Sequence, residues 1–420
     1  GDARAAAPLN ALGERLLADY AEYVADDSPG VPPAQNLLLE VATALGALKD
    51  PSSLPLLVRA RLLDGRAGAN PETEIAVAAY GEAAFFDVPA SAAVTSDWRR
   101  VSNYAQGLGA TGGERAKREL LDMLAGRRFG PVDARAVPEL LTALGRLKPE
   151  GLERLLADQL GARDVAVRAT AAGLLAEHVA PGGSDALSQA LEAALKASAT
   201  DADVDARLAI LDAIARIKGP RTNELLAIGL ESTNYLVWRR AAALLDEGGK
   251  SSYLAQVPDR TTPARRPGYY ERVEALMRRP SPVAVLTTEK GDVRVELLAR
   301  DAPMTVESFI SLARRNYFDG VAFHRIVPNF VAQGGDPRGD GNGGPGYQLR
   351  CEVNTEPYDR GAVGMALSGK DTGGSQFFVT HSPQPHLDGG YTVFGRVRDG
   401  MDVVDRLARG DRILAVTILE

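Results

Sequence analysis

Apolar positions recur at helical spacing from the start of the chain to about residue 250, and after residue 282 the period changes to two. The first part is rich in Ala and Leu and poor in the β-branched alternation that strands need. Within it one unit returns. Thr43-Ala-Leu-Gly-Ala-Leu-Lys-Asp-Pro precedes Leu54-Pro-Leu-Leu57, Thr142-Ala-Leu-Gly-Arg-Leu-Lys-Pro precedes Leu152-Glu-Arg-Leu-Leu156, and Asp212-Ala-Ile-Ala-Arg-Ile-Lys-Gly-Pro precedes Glu224-Leu-Leu226. Each copy reads as a helix ending at Gly or Lys, a Pro-containing turn and a second amphipathic helix. Weaker copies near Tyr80, Leu108, Leu175 and Leu244 join Leu45, Leu144 and Ile214 to make seven anchors about 28 to 39 residues apart. A helical hairpin cannot bury its apolar face alone, so the period predicts an all-α helical-repeat solenoid; a non-repetitive helical bundle is the alternative. Residues 85–94 read as an inserted loop and Arg127-Arg-Phe-Gly-Pro131 as a turn.

Between 248 and 282 the pattern dissolves into Gly, Ser, Pro and Arg, apart from a short helix over 269–279, which marks a linker. Its arginines (Arg260, Arg265, Arg266, Arg272, Arg278, Arg279) read as a solvated connector rather than a dock for an acidic partner. Residues 283–298 then form a hairpin turning at 290–292. A helix follows over 302–318, with Pro303 in its first turn and Val306, Phe309, Ile310 and Ala313 on one stripe. Several short strands come next, and a last helix over 401–409 stops at Gly410. Two helices among short antiparallel strands predict a closed β-barrel capped by helices. The expected organisation is a helical-repeat domain over 1–250, a linker over 251–281 and a β-barrel domain over 282–420.

Composition narrows this only a little. A chain of 420 residues with 45% hydrophobic and 25% charged residues fits a globular protein of two or three domains. Eighteen apolar residues never run together, so no membrane-spanning helix is expected. A net charge of −7 argues against a general nucleic-acid binder. The single cysteine, Cys351, excludes an internal disulfide framework and reads as a buried small apolar residue in a strand. The four histidines (His178, His324, His381, His386) have no metal-ligand spacing, so neither metal nor cofactor is expected. Acidic residues of the helical half read as solvated faces. The opening Gly-Asp-Ala-Arg-Ala-Ala-Ala-Pro, without Met or apolar leader, suits an exported chain trimmed of its signal or lipid anchor; a cytoplasmic protein with an arbitrary start is the alternative.

Candidate chemistry concentrates in the last third. Phe323-His-Arg-Ile-Val-Pro-Asn-Phe-Val-Ala-Gln-Gly-Gly-Asp336 carries a guanidinium (Arg325), an amide (Gln333) and two aromatics (Phe323, Phe330) within eleven positions, with no nucleophile. Gly364-Met-Ala-Leu-Ser-Gly-Lys-Asp-Thr-Gly-Gly-Ser-Gln-Phe-Phe378 adds another amide and aromatic, and His386-Leu-Asp-Gly-Gly-Tyr-Thr-Val-Phe-Gly395 closes the set. An apolar floor beside a permanent cation suits a reaction that moves charge without breaking a σ-bond, such as amide rotation. Two near-matches fail. Gly339-Asp-Gly-Asn-Gly-Gly344 has no helix after it, and Gly364–Asp371 puts Asp where a phosphate loop needs Ser or Thr.

In order and spacing the three motifs resemble a cyclophilin, a peptidyl-prolyl cis–trans isomerase, from about residue 283 to 420. The resemblance implies a barrel fold, proline-containing peptide or protein substrates, and Arg325 as the catalytic guanidinium. Gln333 would bond the substrate carbonyl and help orient Arg325. Phe330, Val331, Phe378 and Leu387 would line a proline slot supported by Phe323. Gln376, Ala366 and the Leu367 backbone would hold the extended peptide, with His324 as structural support. The sequence departs from the common pattern at three places. His386 stands where many cyclophilins have Trp, Tyr391 where many have His, and Leu367 where Asn is common. More loosely, Asp164-Val-Ala-Val-Arg-Ala-Thr-Ala-Ala-Gly-Leu-Leu175 and Val237-Trp-Arg-Arg-Ala-Ala-Ala-Leu-Leu245 resemble the second helix of HEAT repeats, over roughly 36–247. A concave helical surface of that kind grips a protein partner. The expected function is prolyl isomerisation with partner recruitment; the alternative is a Pro-peptide-binding scaffold with little turnover.

Overall fold

Asp164 opens the Val165–His178 helix by accepting from the amides of Ala166 and Val167, and Asp97 and Ser184 cap two further helices in the same way. Such local signals account for much of the helical half of the computed structural model, which describes residues 2–26, 30–62, 70–87, 97–201, 203–246 and 268–419. The expected linker residues 251–267 and the end of the expected loop, 88–94, lie outside the described residues. Contacts divide the described residues into two units. One takes in the described residues among 2–6, 43–62 and 70–246; the other takes in those among 7–42 and 268–419.

In the first unit the helices Pro71–Ala78, Trp98–Thr111, Val137–Leu147, Val165–His178, Asp205–Ile217 and Tyr235–Asp246 each pack on the next. The three strong sequence copies share one backbone device. Lys49, Lys148 and Lys218 all take left-handed conformations, with φ of 55°, 47° and 52°. Their amides donate back to the carbonyls of Leu45, Leu144 and Ile214, three of the seven anchors of the pattern. A left-handed residue closing a 5→1 bond ends a helix, and the Pro or Gly that follows keeps it ended.

Two expectations change here. Residues 82–87, partly expected as loop, form the Glu82–Asp87 helix. Phe85 drives this: it is 1% exposed, stacks on Tyr104 at 5.5 Å and lies under the Arg61 guanidinium at 4.1 Å. The acidic residues are also not all solvated. Glu74 is buried and accepts from Arg61 at 2.8 Å, with both side chains 6% exposed or less. Burial pushes the Glu74 carboxyl up and Arg61 holds it back.

The second unit carries a single eight-stranded antiparallel sheet. Its strands are β1 (Val283–Thr288), β2 (Gly291–Leu297), β3 (Arg325–Val327), β4 (Val331–Gly334), β5 (Ala362–Met365), β6 (Phe377–Thr380), β7 (Val393–Asp399) and β8 (Ile413–Leu419). The order is β3-β4-β6-β5-β7-β2-β1-β8. Period-two burial on β2 (Val293, Val295 and Leu297 inward) places the core on one face. The closed barrel expected from sequence is instead an open half-barrel. Edge strands β3 and β8 share no ladder; the isolated bridge Ala322↔Arg412 and a few backbone bonds, such as Gly320 N to Ile413 O and Phe323 N to Asp411 O, join the segments next to them. The chain turns at 409–410 just before β8, so it meets the segment ahead of β3 as a turn and not as a strand.

Two helices flank the sheet as expected, but both are shorter. The first spans Pro303–Ala313 and gives way to turns leading to Phe318, and the last spans Met401–Arg406. Phe309, Phe318, Phe377 and Phe394 interlock beneath the first helix, with ring centroids 5.0 to 5.9 Å from their neighbours. The Tyr269–Arg278 helix packs on Pro303–Ala313 and ties to it through Arg272 and Glu307 at 2.8 Å.

Candidate functional site

The β3–β4 hairpin fixes the relative placement of the first motif. Register pairs Arg325 with Gln333 and Val327 with Val331, and residues 328–330 make the turn. Asn329 takes φ 58° there, and its carbonyl accepts from Ser382 Oγ at 2.5 Å and Gln384 Nε2 at 2.8 Å. That pinning leaves Phe330 at the hairpin tip, half-buried. Arg325 is exposed, with its guanidinium carbon 5.5 Å from the Phe330 ring centre.

Amides form a chain behind the guanidinium. Arg325 Nη1 donates to Gln333 Oε1 at 3.3 Å, and Gln333 Nε2 donates to Gln376 Oε1 at 3.1 Å. Gln376 Nε2 in turn donates to the carbonyls of Gly341 and Gly343, both at 2.9 Å. Two carbonyls on one amide nitrogen fix which end of Gln376 faces Gln333, and so which end of Gln333 faces Arg325. The 339–344 loop, whose sequence nearly matches a dinucleotide-binding pattern, thus supports the amide chain.

The apolar wall is a separate small cluster. Val331, Tyr358, Ala362, Phe378, Leu387 and Val393 are buried together, with Phe330, Ala366 and Tyr391 packed on them. β4–β6 register sets Phe378 beside Gln333, and the turn Pro385–Leu387 delivers Leu387. His386 is exposed and stacks on Phe330 at 5.6 Å, while Tyr391 meets Phe378 edge-on at 6.3 Å. Ala366 donates its amide to Gln376 O at 3.0 Å. The Leu367 side chain packs on the main sheet core.

Tyr358 was invisible to sequence reasoning. It is 1% exposed, stacks beneath Phe378 at 5.5 Å, and its buried hydroxyl has no hydrogen-bond partner. Gly364 makes room for it, since a Cβ there would lie 2.5 Å from both Phe378 Cζ and the Tyr358 hydroxyl. A Gly inside a strand pattern was the available signal of a close approach.

The electrostatics are those of a cation at the edge of an apolar surface. Burial lowers the Arg325 proton affinity and nearby Arg409 adds to this, yet a guanidinium remains charged. His324 is pushed down by burial, against Asp336 and Asp340, and its Nδ1 is buried without a partner. Burial thus favours its neutral form. Cys351 lies outside any strand and is half-buried, a correction to its expected setting; it trades bonds with Asp371, and burial raises its thiol. Among the described residues no group of three or more His, Cys, Asp or Glu could hold a metal, and no helix is long and apolar enough to cross a membrane.

The profile of the family described as cyclophilin type peptidyl-prolyl cis-trans isomerase/CLD matches residues 283–419. A peptidyl-prolyl cis-trans isomerase of Synechococcus elongatus is 50% identical over 138 residues, 32% of this chain and 95% of that protein. Peptidyl-prolyl cis-trans isomerase B of Bacillus subtilis is 46% identical over 135 residues, 32% of this chain and 94% of that protein. Among solved structures, a Cryptosporidium parvum cyclophilin type isomerase is 31% identical, covering 33% of this chain and 98% of its own, with a TM-score of 0.32.

Proposed function

Residues 283–419 make this chain a member of the cyclophilin-type peptidyl-prolyl cis–trans isomerases, and from that membership we propose that Arg325 is the guanidinium that drives rotation. Isomerisation about X–Pro bonds is the activity of the family; which atoms perform it here is argued from the site.

Rotation is slow because the proline nitrogen donates its lone pair into the carbonyl, giving a barrier of about 20 kcal/mol, although cis and trans differ by only about 0.5–1 kcal/mol. In the twisted state the nitrogen is pyramidal and basic. A donor aimed at it forms a bond that strengthens only on twisting, which lowers the barrier without tightening ground-state binding. Arg325 meets this requirement, being exposed at the sheet edge, permanently charged, and steadied by Gln333 from behind. The observation that carries the reading is the amide chain from Gly341 and Gly343 through Gln376 and Gln333 to Arg325.

Phe330, Val331, Phe378 and Leu387 hold the proline ring in this reading, so that the carbonyl side rotates. Gln333 bonds the substrate carbonyl. Gln376, Ala366 and the Leu367 backbone hold the peptide on either side, His386 covers the outer face of Phe330, and Tyr391 edges the slot. Substrates are proline-containing segments of other proteins. The stacked helices of the first unit form a HEAT-like solenoid that grips a protein partner. Support for that lies in the shared left-handed lysine caps and the run of each helix on the next. Isomerisation of an X–Pro peptide by the full chain, against Arg325→Ala, tests the proposal; a folded wild-type protein without catalysis would leave a Pro-peptide-binding scaffold.

A further inference from the structure

Asp411 is 0% exposed, yet its carboxylate is engaged on both oxygens by backbone far apart in sequence. Val31 N donates to Oδ1 at 2.6 Å, and Ala408 N donates to Oδ2 at 2.8 Å. Lys290, whose side chain is only 5% exposed, stands 3.8 Å from Oδ1, donates to the Val31 carbonyl at 2.6 Å and bonds the Tyr23 hydroxyl. Two side chains extend the seam. Asn36 Nδ2 donates to Leu407 O at 2.6 Å and Gln35 Nε2 to Arg409 O at 3.4 Å. Each falls on a backbone carbonyl of the 407–411 turn. Val31 and Gln35 are 2% and 1% exposed. All these residues belong to the second unit, but Gly30–Asn36 lies far outside the 283–419 stretch shared with the family.

The turn so held is bonded to a residue two positions before the guanidinium. Phe323 N donates to Asp411 O at 2.9 Å, and Gly410 N donates to Phe323 O at 2.9 Å. Phe323 thus exchanges both backbone bonds with the turn, and β3 begins two residues later at Arg325. No ladder from β8 steadies β3 on that side, because the sheet is open there. The 410–411 turn takes that place.

We propose that the segment from Gly30 to Asn36 is a strap that positions Arg325 for catalysis, with Asp411 as the positioning residue that passes the constraint to Phe323 and β3. The strap never meets substrate. It sets the angle at which β3 presents the guanidinium, a quantity to which a donor aimed at one atom is sensitive. Loss of the strap leaves a buried carboxylate short of a donor, so the 407–411 turn shifts to find water and β3 follows. The inference rests on Arg325 being the catalytic group.

Gly30 offers a probe that leaves the sheet's own residues unaltered. Its φ is +75° and an added Cβ would run into Asp411 Oδ1, so Gly30→Ala pries the strap away. Asn36→Ala removes one bond to the turn without steric change. Both are made in the full chain, and kcat and KM are measured for cis–trans exchange of an X–Pro peptide. The expected result is a fall in kcat of about threefold to tenfold with KM changed by less than about twofold. In an Arg325→Ala background the same substitutions leave the residual rate unchanged, because the strap acts through that side chain. Unchanged kcat in both folded variants overturns the strap. So does the same fold-loss in both backgrounds, which marks general loosening. Should Gly30→Ala fail to fold, Asn36→Ala carries the test alone. An Arg325→Ala protein as active as wild type is a different failure, that of the catalytic assignment.

Discussion

Gln333 turns its amide oxygen to Arg325, 3.3 Å from Nη1, because its nitrogen is already committed to Gln376. The pair sits at matched positions of β3 and β4, so the contact is set by strand register. Replacing Gln333 by Ala frees the guanidinium to sample several directions. Steady-state kinetics are expected to show a kcat/KM loss of about tenfold or more, mostly in kcat. A Gln376→Ala variant loses less, since it leaves the direct Gln333–Arg325 bond in place.

Rate and stability respond differently to pH. The proposed mechanism transfers no proton, so kcat/KM stays flat wherever the fold persists. Stability does not stay flat. Burial depresses His324 and His381 below the ordinary 6.5. Just below 6.5 the unfolded chain binds protons that the folded chain refuses, so stability rises with pH in that window and is lost on acidification. Thermal melts from pH 7 down to pH 5 should therefore show a falling midpoint for the unit carrying both histidines. A bell-shaped kcat/KM profile centred near neutrality contradicts the mechanism.

Gly364 and Tyr358 together set the floor under Phe378. Gly364→Ala places a methyl 2.5 Å from Phe378 Cζ and from the Tyr358 hydroxyl, which costs about 1–3 kcal/mol of stability and tilts Phe378 into the slot. Weaker catalysis with a raised KM is the expected reading. Tyr358→Phe removes a hydroxyl that is buried without a partner, so its melting temperature should equal or exceed that of wild type.

The buried Arg61–Glu74 pair makes the opposite prediction for the helical unit. Arg61→Met leaves Glu74 uncompensated beneath Phe85 and Tyr104 and should destabilise by about 3–5 kcal/mol, read by chemical denaturation. Isomerase activity of the protein that remains folded should be unaltered.

Much of the second unit was legible because its signals are local. A two-residue period, Pro303 at a helix start and three ordered motifs need no long-range knowledge. The open edge was not legible: strand closure depends on whether β3 and β8 pair, and three residues of β3 say nothing of it. In the helical half, the three copies, each with Lys followed within two residues by Pro, announced where their helices end through the residues that follow them. Glu82–Asp87 became helix through burial of Phe85, a contact with Tyr104 nineteen positions away. The seam at Gly30–Asn36 left almost no trace in sequence, since Gln35 and Asn36 bond to carbonyls that every residue has. Among the site residues, the motifs brought Arg325, Gln333, Phe330, Gln376 and Phe378 to one edge, whereas Tyr358 had no motif and Leu367 turned its side chain to the core.

The central claim is that the Arg325 guanidinium lowers the barrier to X–Pro rotation. Protease-coupled isomerisation of an X–Pro peptide by the full chain, wild type against Arg325→Ala, tests it most directly. The account predicts clear catalysis by wild type and a loss of about tenfold or more in the variant, at unchanged melting temperature. An Arg325→Ala protein that isomerises the peptide as fast as wild type would contradict it.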